Sequence, residues 1–210
     1  MLPPVIPIFP LPNAVLFPGV FLPLHIFEPR YREMVRDALS GDRLIGMVLL
    51  RPEGLQDYEG RPPVYPIGCA GLITHAERLQ DGRFNIILRG LEKFQVAGEE
   101  HDRIYRRAHV TPLPEPASEA ERREIRDERR KLEILLKLTA EHSGTDPKLP
   151  TSVADEDLVN ALAQYLELEP VEKQALLERE GSLARCRSLV ELLEMKVMVA
   201  RSPMSMDWAH

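Results

Sequence analysis

The side chains that could act as nucleophiles are few and far apart in the sequence. The two cysteines, Cys69 and Cys186, lie in different halves of the chain, and no Gly-x-Ser-x-Gly elbow is present. Cys186 falls among leucines on a predicted helix face, and Cys69 falls in an apolar run that predicts a strand. Apolar surroundings raise the pKa of a thiol and make it inert. We therefore expect two buried reduced thiols, with a disulfide or a reactive thiol as the alternative.

The densest run of titratable side chains is Glu99-Glu100-His101-Asp102. Paired carboxylates can act as general acid and base, so this run is the obvious candidate for hydrolytic chemistry. Strand-forming residues lie on both sides of it, however, and the run therefore predicts a turn between two strands. The sequence predicts no catalytic residue.

Ligands for metals and nucleotides are also scattered. The six histidines form no His-Glu-x-x-His motif, and the cysteines form no Cys-x-x-Cys motif. None of the twelve glycines is followed by lysine, and no Gly-x-Gly-x-x-Gly motif occurs, so the sequence contains no recognisable phosphate-binding loop. We predict no metal site and no cofactor, and a binding module rather than an enzyme.

Composition limits the classes of partner. Apolar residues make up 44% of the 210-residue chain and charged residues 29%, which is ordinary for a globular protein that buries a core. A formal net charge of −6 argues against broad binding to nucleic acid or to anionic membranes. The amino terminus resembles no secretory signal, and no apolar run reaches the roughly 18 residues of a membrane span. We expect a cytoplasmic protein without a membrane partner.

The stretch from Pro7 to Leu39 determines how the other elements are arranged. Each proline fixes φ and removes a backbone donor, so the apolar residues between the prolines cannot form a long helix. The pattern predicts a strand over 5–9 at an edge or an end, a bend at Pro18-Gly19, an extended run over 20–26, and a helix that begins at Pro29 and ends at Gly41. The six prolines of the stretch are Pro7, Pro10, Pro12, Pro18, Pro23 and Pro29.

Strands come first in the remaining chain and helices follow. Residues 43–50, 69–79, 83–89, 93–97 and 104–113 predict strands, and Gln80-Asp81-Gly82 predicts a hairpin turn. After a linker over 113–117, helices are predicted to begin near Ser118, near Ser152 and Asp155, at Pro170, and after a cap at Ser182. We expect an α+β fold with a β-rich subdomain over 1–115, a helical subdomain over 116–201 and a tail over 202–210.

Three ordered stretches resemble the N-terminal domain of the Lon protease family, also called the Lon substrate-binding domain. The first includes 7–11 (PIFPL), 15–19 (VLFPG) and 22–31 (LPLHIFEPRY). The second runs from Gly68-Cys69-Ala70 to Leu88-Arg89-Gly90 and Lys93-Phe94, and the third is 172–178 (EKQALLE), followed by Arg185 and Leu189.

The resemblance implies a PUA-like β-rich pseudo-barrel followed by a helical bundle. It also implies a non-catalytic module that binds unfolded or damaged polypeptide, or a protease or chaperone partner. Because the sequence ends at His210 without a phosphate loop or a peptidase segment, we expect a stand-alone protein that binds without ATP.

The same resemblance points to a peptide-binding surface formed by the proline-rich stretch. A proline-limited strand edge leaves N–H and C=O groups to which an extended peptide can add. Phe17, Phe27 and Tyr31 would supply apolar contacts, and Glu28 and Arg30 a polar rim. The alternative is that Phe17, Leu22 and Phe27 fill the β core and that Glu28 is only a charge at a helix amino terminus.

Other functions remain open from sequence alone. PUA-like folds often bind RNA, although the acidic balance argues against it, and an unrecognised hydrolase would need a cleft with convergent titratable groups. The oligomeric state is also open, since the long charged helix after Ser118 has a short apolar stripe that could pair with a second copy.

Overall fold

The computed structural model describes residues 2–53, 61–143 and 153–201. The chain divides into two compact units, one of Met1–Glu115 with Asn160–Glu178 and one of Pro116–Val159 with Arg179–His210. The first boundary falls inside the linker that the sequence predicts. Residues 160–178, which the sequence prediction placed in the helical subdomain, group instead with the β-rich unit, because their side chains bond to its strands and turns.

Six strands are described in the first unit, and they form one sheet. They are β1 (Val5–Leu11), β2 (Phe21–Ile26), β3 (Leu44–Leu49), β4 (Ile67–Arg78), β5 (Phe84–Glu100) and β6 (Arg106–Leu113). Their order is β2-β5-β4-β3-β1-β6, and β5 also pairs with β6. The β5–β6 pairing closes a barrel of five strands, and β2 is not one of them because it pairs with β5 alone. The five strands are β1, β3, β4, β5 and β6. Together with the helices, this barrel confirms the predicted α+β fold with a β-rich pseudo-barrel.

Strand β1 is not an edge strand, and that part of the sequence prediction was wrong. Its first half, Val5 to Ile8, pairs antiparallel with β6, and its second half, Ile8 to Leu11, pairs parallel with β3. The Val110 N–H donates to the Pro4 carbonyl, so alternation along the ladder turns Pro7 toward β3 and Pro10 toward β6. Pro7 faces the β3 side before the pairing with β3 begins at Ile8, and Pro10 faces the β6 side after the pairing with β6 has ended at Ile8. Neither missing N–H therefore removes a ladder hydrogen bond, so this internal strand tolerates both prolines.

Strand β5 joins two of the predicted strands into one of 17 residues. Its first half pairs with β2 and β4, and its second half pairs with β4 and β6. The turn into β5 forms as predicted, with Gly82 at φ 81° and its N–H bonded to the Leu79 carbonyl at 3.0 Å. Glu99 and Glu100 lie inside β5, so the predicted turn begins only after them.

Helix α1 (Pro29–Ser40) agrees with its prediction. Proline occupies the first turn, where a missing N–H costs nothing, and the Gly41 N–H bonds to the Ala38 carbonyl at 3.1 Å. Its buried face consists of Tyr31, Met34, Val35 and Ala38. The barrel core is apolar and includes Ile6, Ile8, Val48, Ala70, Phe94, Ala108 and Val110.

The remaining helices are α2 (Glu119–Ser143), α3 (Asp155–Tyr165), α4 (Pro170–Glu178) and α5 (Gly181–Arg201). The predicted capping box forms at α2, where the Glu121 N–H donates to Ser118 Oγ at 3.2 Å and the Ser118 N–H donates to Glu121 Oε2 at 2.7 Å. Ser152 lies outside the described residues. Helix α5 begins at Gly181, one residue before the predicted cap at Ser182.

In the second unit, α2 and α5 pack through an apolar face. This face includes Ile125, Leu132 and Leu136 from α2, and Cys186, Leu189, Val190 and Leu193 from α5. The charged face of α2 carries ion pairs, as its alternating pattern predicts; Arg129, for example, lies 2.7 Å from Asp155 and 3.0 Å from Glu133.

Candidate functional site

Strand β2 is the one described strand that has a partner on a single side over its whole length. It pairs antiparallel with β5 from Phe21, opposite Arg89, to Ile26, opposite Phe84. The other side carries backbone groups that no described strand satisfies, so it is the natural place for an added strand.

The backbone groups on this side follow from the hydrogen bonds at the start of the strand. The Gly90 N–H donates to the Val20 carbonyl at 2.9 Å. Because hydrogen-bonded and non-bonded pairs alternate in an antiparallel ladder, Leu22 and Leu24 bond to β5, whereas Phe21, Pro23 and His25 face outward. Pro23 has no N–H to offer, so the outward groups in the middle of the strand are the Pro23 carbonyl and the N–H and carbonyl of His25.

Helix α3 fixes the beginning of β2. The turn that precedes β2 has Pro18 and Gly19 as its central residues. Gly19 has a φ of 77°, and the Val20 N–H donates to the Phe17 carbonyl. Three side chains of α3 hold this turn and the first residue of the strand. Gln164 accepts from the Phe17 N–H at 3.0 Å, Asn160 donates to the Pro18 carbonyl at 3.0 Å, and Tyr165 donates to the Phe21 carbonyl at 2.8 Å.

Exposed aromatic side chains lie in β2 and directly after it. Phe21 is 48% exposed and Phe27, just after the strand, is 60% exposed. The His25 ring stacks on Phe27 with ring centroids 6.3 Å apart. Its Nδ1 lies 2.7 Å from Asn85 Oδ1 and its Nε2 lies 3.2 Å from Arg83 Nη1. This surface, which we call the β2 edge, consists of the outward backbone of β2 with Phe21, His25 and Phe27.

The five residues predicted from sequence separate by exposure. Phe17 and Tyr31 are buried, so the alternative of a core role holds for Phe17, and Tyr31 packs on Phe9 with ring centroids 4.3 Å apart. Neither buried ring can supply the exposed apolar contact that was predicted for it. Phe27 is exposed and not part of the core. That it binds a peptide stays a prediction.

Glu28 and Arg30 form one ion pair at 2.9 Å, and both are partly exposed. The Arg30 guanidinium also lies over the Tyr31 ring, 4.7 Å from its centroid. The structure therefore brings Glu28, Arg30 and Tyr31 together at the start of α1, close in sequence to Phe27. A role for the pair as the polar rim of a binding surface also stays a prediction.

Sequence reasoning did not single out Phe21, His25 and Tyr165. The alternation in FLPLHI was a usable signal, because it puts the odd-numbered residues of β2 on one face. Nothing local predicts the contact of Tyr165 with Phe21, since 144 residues separate them.

The acidic run at the end of β5 forms ion pairs. Glu99 binds the buried Arg106 through both carboxylate oxygens, and Glu100 lies 2.9 Å from Arg107 and 3.2 Å from His109. Within 2–53, 61–143 and 153–201, no three metal-binding side chains converge. No helix in that part of the chain is long and apolar enough to cross a membrane.

This architecture is that of Lon N-terminal domains. The N-terminal domain of a Lon protease of the Mycobacterium avium complex superposes with a TM-score of 0.67 at 18% identity, over 90% of this chain and 98% of that one. A Lon N-terminal domain protein from Xanthomonas campestris gives 0.60 at 23% identity, over 89% and 97%. At these identities the likeness establishes the fold.

Residues 5–195 match the family model of the ATP-dependent protease La (LON) substrate-binding domain, and the chain belongs to this family. The domain it matches is non-catalytic. Lon protease 2 of Myxococcus xanthus is 28% identical over 217 residues, which is 99% of this chain and 26% of the protease. Lon protease 2 of Syntrophobacter fumaroxidans is 29% identical over 84% of this chain and 22% of its own length. The chain thus spans about a quarter of such relatives.

Proposed function

We propose that this protein binds extended segments of unfolded or damaged polypeptide by strand addition at the β2 edge. The observation that carries the proposal is that β2 pairs on one side only among the described strands, with exposed Phe21 in the strand and exposed Phe27 directly after it. Membership of the Lon substrate-binding family supports a polypeptide as the ligand. Binding requires no nucleotide under this proposal, and delivery to a separate protease or chaperone would follow it.

The edge suits brief, sequence-tolerant binding. Tyr165 occupies the Phe21 carbonyl and Pro23 lacks a donor, so an added strand gains only a few backbone hydrogen bonds around His25. Backbone pairing does not depend on the side chains of the ligand, and Phe21 and Phe27 favour apolar ones. A surface with these properties recognises exposed apolar chain rather than one defined motif.

The reduced state of both cysteines supports the cytoplasm as the place of action. Cys69 and Cys186 are both buried and form no disulfide, and thiols persist in reducing compartments. We propose that the protein meets its polypeptide ligands there.

Binding of a fluorescein-labelled, reduced and carboxymethylated lactalbumin, followed by anisotropy, tests the apolar contribution. Phe27→Ser should weaken binding at least about tenfold, because burying a phenyl ring contributes about 1.5–3 kcal/mol. Ile104→Ser is the matched control, since Ile104 is 59% exposed in the first unit but lies outside the β2 edge. Equal affinities for the wild type and Phe27→Ser would refute the role of Phe27, and no binding by any form would refute the proposal.

A pair of substitutions at His25 tests strand addition itself. His25→Pro removes the outward N–H without touching the ladder to β5, whereas His25→Ala removes the ring and keeps the N–H. One lost hydrogen bond corresponds to about 0.5–1.5 kcal/mol, so His25→Pro should bind about 2- to 10-fold more weakly than His25→Ala. Identical affinities of the two variants would show that the backbone of β2 does not pair with the ligand.

A further inference from the structure

An open cavity of about 360 Å³ lies in the first unit at the carboxyl end of α1. One wall is apolar and comes from the first half of β1 and the start of β3, including Val5, Pro7 and Leu44. The opposite walls are polar and come from the end of α1 and from the segment that leads into β6. Neither the β2 edge nor the five residues predicted from sequence contribute to it.

The cationic side chains of this cavity are already matched by anions. Arg103 lies 3.4 Å from Asp37 and 4.0 Å from Asp102, and Arg107 lies 2.9 Å from Glu100 and 2.7 Å from Asp102. Compensated guanidinium groups are poor binders of a further anion, because a new carboxylate would have to displace an existing partner.

The cavity lining holds two carboxylates, Asp37 and Asp42, and two guanidinium groups, and carboxylates outnumber the guanidinium groups once the partners Glu100 and Asp102 are included. Tyr105, which is buried, donates to Asp37 Oδ2 at 2.7 Å, and burial and this hydrogen bond raise the pKa of Tyr105 to about 12. The phenol therefore stays neutral and continues to donate to Asp37, which also forms an ion pair with Arg103. Asp42, also in the cavity wall, is exposed, and its side chain forms no hydrogen bond or ion pair with another described residue. The last turn of α1 carries no basic residue, so no side-chain charge within that turn offsets the negative end of the helix dipole.

The backbone of β1 offers a second element of recognition. Alternation along the β1–β6 ladder turns the N–H and carbonyl of Val5 away from β6. The pairing of β1 with β3 begins only at Ile8, opposite Gly46, so Val5 lies before the paired residues on this side. An extended chain that enters the cavity can therefore bond to Val5 while its end approaches Asp42.

We propose that this cavity binds a primary ammonium group carried by an extended peptide, with Asp42 as its charge partner and the free edge of β1 at Val5 as the backbone contact. The apolar wall accommodates the aliphatic atoms next to the ammonium group. Two groups of a peptide can supply the primary ammonium, namely its terminal α-amino group and the side chain of a lysine. The site is separate from the β2 edge and does not depend on the function proposed for that edge.

Three short alanine–valine peptides with fluorescein at the carboxyl-terminal end test the proposal by anisotropy with the full chain. The first has a free α-amino group, the second is acetylated, and the third is acetylated and carries one lysine near its amino-terminal end. Charge-assisted hydrogen bonds contribute about 1.5–3 kcal/mol, so acetylation should weaken binding at least about tenfold. Recovery by the third peptide assigns the site to lysine side chains, and no recovery assigns it to the α-amino group.

Asp42→Asn should weaken binding of the free-amine peptide at least about tenfold, since it removes the charge and keeps the shape. Asp157→Asn, an exposed position in the second unit, is the matched control and should have no effect. Equal binding of the first two peptides, or wild-type affinity of Asp42→Asn, would overturn the proposal. Phe27→Ser should bind the free-amine peptide normally, so failure of one site is distinguishable from failure of the other.

Discussion

The side-chain amide oxygen of Gln164 accepts a hydrogen bond from the backbone N–H of Phe17 at 3.0 Å, across 147 residues of chain. Both residues are buried. The bond satisfies the backbone of the Pro18-Gly19 turn at a place where water cannot, and it ties α3 to the beginning of β2. The order of the β2 edge thus depends on a helix that is distant in sequence.

Gln164→Leu should destabilise the first unit by about 1–3 kcal/mol, because it leaves the Phe17 N–H buried without an acceptor. Urea unfolding followed by circular dichroism measures the change in the free energy of unfolding. Gln95→Leu, at an exposed position of β5, is the control and should change it little. Equal stabilities of the two variants would mean that the Phe17 N–H finds another acceptor.

Gly90→Ala should be among the most destabilising small substitutions in the chain. A Cβ at Gly90 would overlap the backbone carbonyl oxygen of Phe17, and neither segment can move without breaking the bonds of Gly90 to Gly19 and Val20. We expect a loss of about 3 kcal/mol or more in the free energy of unfolding, as for other steric overlap in a core. Gly98→Ala in the same strand meets no atom within 4 Å, so it should be neutral or slightly stabilising. Similar losses in both variants would contradict the steric account.

Local chemistry allowed several elements to be predicted from the sequence. Pro29 at the first turn of α1, the Asp81-Gly82 turn and the reciprocal bonds of Ser118 with Glu121 depend on neighbouring residues alone. For the same reason the predicted strands were mostly correct in position, since alternation and turn residues are local signals.

Pairing could not be predicted in the same way. The prolines of β1 suggested an edge, yet Pro7 and Pro10 lie in a strand with a different partner for each half. Closure of the barrel by β5, and the open side of β2, depend on which distant strands meet. The candidate site shows the same limit, because Phe17 and Phe27 are both aromatic residues next to proline-rich turns, and only tertiary packing makes the first buried and the second exposed.

Both thiols should be unreactive in the native protein. Burial raises the pKa of Cys186 to about 12, and the nearby charge of Glu128 adds to this effect. Cys69 is buried in β4. Because the thiolate is the reactive species, we expect Cys186 to react with Ellman's reagent at about pH 8 more than about 100-fold slower than an exposed thiol. In concentrated guanidinium chloride, both cysteines should react with Ellman's reagent immediately. Rapid labelling of a natively folded Cys69→Ser variant would contradict the expected protection of Cys186.

Tyr105 should make the stability of the first unit depend on pH in the alkaline range. Its pKa is raised from 10.0 to about 12 in the folded protein, by burial first and by the hydrogen bond to Asp37 second. Between these two values the folded state holds a proton that the unfolded state has released, so the free energy of unfolding falls as pH rises. The stabilisation is complete below about pH 10, and about 1 kcal/mol of it should be lost by about pH 11.

Tyr105→Phe isolates this contribution, because it removes the titrating hydroxyl and keeps the ring. The variant should be about 1 kcal/mol less stable at neutral pH, since Asp37 loses a donor but retains Arg103. Urea unfolding of both proteins from about pH 8 to about pH 11 should show the wild type losing its advantage as pH rises. Parallel stability curves would show that the hydroxyl of Tyr105 ionises equally in the folded and unfolded states, and the wall of the cavity would then lack the neutral donor that holds Asp37.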